Sequence, residues 1–147
     1  MLSIHTDEYF LRQAYLLAEQ AFEEGEVPIG AVVVNNFQII GKGYNQVERL
    51  QDPTAHAELL AITAACDYMG SKYLENCSLF VTIEPCVMCA GALRWSRVSK
   101  LVFGANEPKF GYSKFGNNLL HPKTTVSSGI MTNECEQLMK QFFVPKR

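Results

Sequence analysis

Glu84-Pro-Cys-Val-Met-Cys-Ala-Gly-Ala92 (EPCVMCAGA) puts two cysteines three residues apart directly behind a proline. An apolar run, CSLFVTI at 77–83, precedes it and reads as a buried strand. Proline suits the first position of a helix, where its missing N–H would have had no partner. The spacing therefore predicts a helix opening at Pro85 and reaching about Arg94. Cys86 and Cys89 then share one face of the first turn. Free N–H groups and the positive helix end lower thiol pKa values there. Taken alone, the pair fits a metal clamp, a redox couple or small structural residues.

Working outward, the same strand-then-helix rhythm repeats. Thr6 to Glu24 carries Phe10, Ala14, Leu17 and Ala21 at helical spacing, with Thr6 as N-cap and Gly25 as stop. GAVVV and FQIIGKG read as a hairpin turning at Asn35-Asn36. A helix is expected from Pro53 to about Met69, and KLVFGA (100–105) is another buried strand. A polar stretch from Asn106 to Pro122 lacks periodicity, a length more often functional than idle in a compact domain. TTVSS then reads as a short strand before a last helix from about Thr132 to Phe143. Alternating elements imply an α/β fold, a three-layer α/β/α sandwich around a mixed sheet of about five strands. No linker or repeat interrupts residues 1–147, which are expected to form one domain.

DPTAHAELLA (52–61) changes the reading of the cysteines. His56 and Glu58 lie two apart, and such residues point away from each other inside a helix. They serve one site only at a helix tip. His56, Cys86 and Cys89 make three soft ligands, which leaves a fourth position for water, the arrangement of a catalytic rather than a structural zinc. Glu58 is then placed to take a proton from that water and return it to a leaving group.

The chain has 147 residues, 48% of them hydrophobic, and a mean hydropathy near zero, as a soluble globular protein has. No apolar run approaches the length of a bilayer span. The N-terminus (MLSIHTDEYF) lacks the pattern of a signal peptide. Five cysteines, an odd number without a secretion signal, point to a reducing compartment, the cytoplasm. Formal net charge is −2, but unevenly spread: residues 94–147 carry nine basic and three acidic residues, or +6, and residues 1–93 carry −8. Either the fold keeps a basic surface in the C-terminal part or it intermixes the two halves.

At His-Ala-Glu and Pro-Cys-Val-Met-Cys the sequence resembles the zinc-dependent nucleoside and nucleobase deaminases. EVPIGAVVV, GKGYN, DPTAHAE, SRVSKLVFGA and ECEQLMKQFFVPKR extend the likeness, from about Asp7 to Arg147, to the bacterial tRNA adenosine deaminase family. That resemblance implies a cytidine-deaminase-like fold and one Zn2+ per chain on His56, Cys86 and Cys89. It implies Glu58 as proton shuttle, Asn45 as hydrogen-bond partner of the base, and the Ala57 N–H as a group orienting it. Val27, Pro28 and Ile29 would line the pocket. Asn106, Glu107, Lys109, Phe142, Phe143 and Arg147 would touch a tRNA anticodon loop. A homodimer is implied, with adenosine converted to inosine at the wobble position. One departure stands out: where the family carries an Asn-His-Arg tract before the penultimate strand, this chain has the shorter LLHPKTTVSSG. Related enzymes act on free guanine or cytosine, and that is the alternative substrate class.

Overall fold

A computed structural model describes residues 6–144. The chain runs α1 (Asp7–Glu23), β1 (Gly30–Asn35), β2 (Gln38–Tyr44), α2 (Val47–Leu50), α3 (Ala57–Met69), β3 (Cys77–Ile83), α4 (Val87–Ser96), β4 (Lys100–Ala105), β5 (Thr125–Ser128) and α5 (Thr132–Phe143). The sheet order is β2-β1-β3-β4-β5. β1 is antiparallel to both neighbours, while β3, β4 and β5 are parallel. Among the described residues no helix is long and apolar enough to cross a membrane.

Alternation along the strands builds two cores. Ala31, Val33, Leu79, Val81, Leu101 and Phe103 face one side, against Ala57, Ala61 and Ala65 of α3 and Leu93 of α4. Val32, Val34, Phe80 and Val102 face the other, against Phe10, Leu11 and Ala14 of α1 and Cys135 of α5. The sandwich predicted from the strand–helix rhythm is therefore the fold adopted.

Local chemistry sets the ends of the elements. Thr6 caps α1, its hydroxyl accepting from the Tyr9 N–H at 3.1 Å. Gly25, at φ +79°, closes that helix, with the Glu26 N–H on Ala21 O at 2.9 Å and the Gly25 N–H on Phe22 O at 3.1 Å. The hairpin turns at Asn36-Phe37, not Asn35-Asn36: both have positive φ, as a two-residue turn matching strand twist requires. α3 and α4 each begin later than the prolines suggest, at Ala57 and Val87.

The approach of α3 to the sheet depends on glycine. A Cβ on Gly43 would collide with the Ala57 carbonyl oxygen and approach the Ala61 nitrogen to 2.7 Å, and one on Gly41 would meet Ala61 and Ala65 in the same way. Alanine on the helix side and glycine on the strand side bring the two backbones together and hold the first turn of α3 over the end of β2. Gly43→Ala should therefore lower unfolding free energy by roughly 1–3 kcal/mol, as overpacking typically does. Urea titration with far-UV circular dichroism measures this; an unchanged midpoint would mean that the helix slides without cost.

Candidate active site

Two helix beginnings meet at one edge of the sheet. His56 is the N-cap of α3 and Cys86 the N-cap of α4. Each has extended backbone, and neither side chain caps its own helix, so both point beyond the helix tips. The His56 Nδ1 atom lies 3.6 Å from Cys86 Sγ and 3.5 Å from Cys89 Sγ. All three ligand atoms fall within 4.8 Å of one another, the one such cluster found among the described residues. A nitrogen and a sulfur on one tetrahedral zinc, at ~2.0–2.3 Å from it, stand roughly 3.6 Å apart. The residues present fit a zinc ion in both donor type and spacing.

The three groups divide their protons unequally. Cys86 is held down to about 4, first by the hydrogen bond from the Cys89 thiol and then by His56, against the effect of burial. The Cys89 thiol is pushed far up by that same bond and by burial. His56 is raised, chiefly by its bond to Cys86. Glu58, in the first turn of α3, is 3% exposed. Burial raises its carboxyl to about 7, a range in which it can both accept and donate a proton at neutral pH.

Asn45, at the end of β2, is buried, and its Oδ1 accepts the Ala57 N–H at 2.8 Å. This supplies the partner that His56 does not offer to the start of α3. It also alters the expected part of Ala57, whose N–H is engaged by Asn45 rather than free for a base. The bond fixes which way the amide points. Nδ2 is left over as a donor, without a hydrogen-bond partner among the described residues. Ile29 O accepts the Asn45 N–H at 3.2 Å, which sets the Val27–Ile29 segment beside it. Val27 and Ile29 are half-buried, but Pro28 is fully buried and offers no surface to a pocket.

Two buried carboxylates hold the loops around this centre, and neither was anticipated from the sequence. Glu26 accepts from the Glu48 and Arg49 N–H groups at 3.0 and 2.9 Å, fastening α2 and the loop between Asn45 and His56. Glu84 accepts from Asn106 Nδ2, Glu107 N–H, Ser113 N–H and the Ser113 hydroxyl at 2.6–3.2 Å. Burial alone would raise its pKa, but these bonds together outweigh it and hold the carboxyl below its usual value. The Tyr112 N–H donates to Pro85 O at 2.9 Å, and Gly111 forms a β-bridge with Cys86. A Cβ on Gly111 would strike the Glu84 carboxyl. The loop after β4 is thus tied to the segment that carries a ligand.

The expected outer contacts are placed variously. Asn106 spends its amide on Glu84. Glu107 accepts from the N–H groups of Lys109 and Phe110. Lys109 is exposed on the same loop. Phe142 leans on Phe22 of α1 with ring centroids 6.1 Å apart, whereas Phe143 is exposed. Arg147 lies outside the described residues.

With this geometry, the family model for the cytidine and deoxycytidylate deaminase zinc-binding region matches residues 4–105. The chain belongs to that family. It is 46% identical over 142 residues to the tRNA-specific adenosine deaminase of Bacillus subtilis (strain 168), covering 93% of this chain and 88% of that one. It is 55% identical over 104 residues to the enzyme of the same name from Aquifex aeolicus (strain VF5), covering 71% and 69%. A solved structure from work on A-to-I editing by tRNA:A34 deaminases at the wobble position of transfer RNA superposes with a TM-score of 0.83 at 37% identity. That match covers 88% of this chain and 98% of the other. The five-stranded mixed sheet is the cytidine-deaminase-like fold.

If His56, Cys86 and Cys89 hold zinc as their spacing indicates, replacing both cysteines by alanine should abolish bound zinc, because a lone histidine does not retain it. Metal analysis of the purified double variant checks this. Wild-type zinc content in that variant would mean that other ligands bind the ion.

Proposed function

We propose that this chain, acting as a single domain, hydrolytically deaminates adenosine to inosine at the wobble position of a tRNA anticodon, with one zinc per subunit. The observation that carries the reading is the meeting of His56 Nδ1 with two thiols at 3.5 and 3.6 Å beside a buried Glu58. The relatives named for tRNA adenosine deamination supply the substrate class. The free thiols of Cys66, Cys77, Cys86, Cys89 and Cys135 support a reducing compartment, the cytoplasm. Exposed Val87, Met88 and Trp95 on α4 support a homodimer: Trp95 is 81% exposed, and a free face of that kind suits a subunit contact.

Zinc, when bound, supplies a positive charge that makes water acidic enough to attack at neutral pH. The chain's own residues do the rest. Glu58 takes a proton from the attacking water and passes it to ring nitrogen one of adenine. It then transfers the second to the amine on carbon six, which leaves as ammonia. Asn45, its Oδ1 occupied by Ala57, points Nδ2 at the base. Half-buried Val27 and Ile29 flank it.

Glu58→Gln should retain zinc and fold but lose turnover by a factor of roughly 10² or more, because a positioned acid–base contributes about 10²–10⁴. Inosine formation in an anticodon stem-loop, with free guanine and cytosine as parallel substrates, measures both chemistry and substrate class. Turnover of a free base with none of the stem-loop would defeat the tRNA reading. Asn45→Asp separates the two tasks of that side chain. The aspartate still accepts the Ala57 N–H, so the melting temperature should hold, while loss of the Nδ2 donor should lower kcat/KM about tenfold or more. A fall in melting temperature with unchanged kcat/KM would assign Asn45 to the helix end alone.

A further inference from the structure

Phe110 is 66% exposed, and nothing so far gives this large apolar ring a task. Its backbone is nevertheless tied down within the loop after β4. The Phe110 N–H donates to Glu107 Oε2 at 2.6 Å. The next residue, Gly111, bridges to Cys86 and rests on Glu84. The residue before it is the exposed Lys109. An aromatic ring beside a cation thus stands on a fixed loop, one residue from the β-bridge to a zinc-ligand position.

We infer that Phe110 is a stacking platform for an unpaired nucleotide next to the target base, with Lys109 facing the adjoining phosphate. This rests on the RNA reading above and adds a contact to it. A base removed from its stack leaves its neighbours unstacked. Proteins that bind such strands receive them on aromatic faces, combined with basic groups along the backbone. The ring costs little to order because the loop is already held, so the stacking free energy appears in affinity. The same exposure would suit an apolar contact with a second copy of the chain. Lys109 next to the ring favours the polyanion, and the two occupants respond differently to substitution.

The test measures binding of a fluorescent anticodon stem-loop by anisotropy, in Glu58→Gln protein so that turnover does not intervene. Phe110→Ala should weaken Kd about 5- to 100-fold, the factor that base–aromatic stacking supplies. Phe110→Trp should restore it to within about threefold, whereas Phe110→Leu should not. The slope of log Kd against log salt should be unchanged in Phe110→Ala, since no phosphate contact is lost. Lys109→Ala should make it shallower by roughly one phosphate contact. An unchanged Kd in Phe110→Ala overturns the proposal. So does restoration by leucine, or a shift from dimer to monomer in Phe110→Ala, which would assign the ring to a subunit contact. Failure of the intact enzyme to form inosine defeats the tRNA reading separately, while the anisotropy series still decides the stacking.

Discussion

The site depends on two helices that begin at residues which do not cap them. Helix N-caps are usually Ser, Thr, Asp or Asn, and their side chains are worth about 1 kcal/mol each to the helix. Here those positions hold His56 and Cys86, and both side chains turn away from their helices toward each other. An N-cap side chain that does not bond its own helix can project beyond the helix end, so two helices pointing at one spot bring His56 and Cys86 together there, and Cys89 joins them from the first turn of α4. One orphaned N–H, that of Ala57, is met from elsewhere. At α3 the partner is Asn45, which sits within reach because Gly41 and Gly43 let the helix lie on β2.

A second layer of polar groups follows from the first. Loops that converge on a site expose backbone N–H groups with no strand or helix to receive them. Glu26 and Glu84 take two or more donors each, and both are buried. A carboxylate suits this work because charge-assisted hydrogen bonds are roughly twice as strong as neutral ones. The rim of the site is therefore built before any substrate arrives, and preorganisation of that kind keeps the binding cost low.

What the sequence disclosed follows the same division. The strands at 77–83 and 100–105 and the helix at 132–143 have the bounds that their patterns predict, because burial of apolar runs decides them. The starts of α3 and α4 were misplaced because proline at N1 is a local preference, whereas His56 and Cys86 stand as N-caps for a tertiary reason, their meeting at one site. His56, Glu58, Cys86 and Cys89 were legible because metal chemistry restricts residue type and spacing. Glu26 and Glu84 were not, since a carboxylate that receives only loop donors leaves no pattern in the sequence. The short α2 was missed for the same reason: four residues carry no periodicity, and Glu26 holds them.

The uneven charge can now be placed. Residues 1–93 carry −8 and residues 94–147 carry +6. The strand order β2-β1-β3-β4-β5 puts the hairpin at one end of the sheet and the two C-terminal strands at the other. An order that interleaved early and late strands would have mixed the two charges. The two halves nevertheless meet across the fold: Lys100 of β4 pairs with Asp7 of α1 at 2.9 Å, and Arg97 with Glu75 at 3.9 Å. The loop after β4, which carries the exposed Lys109, is bonded to Glu84 and bridged to Cys86, so that cation stands near the site itself. A chain that is acidic overall can thereby offer an exposed cation to a polyanion beside the site. What meets a polyanion there is set residue by residue along that loop, not by the net charge of either half.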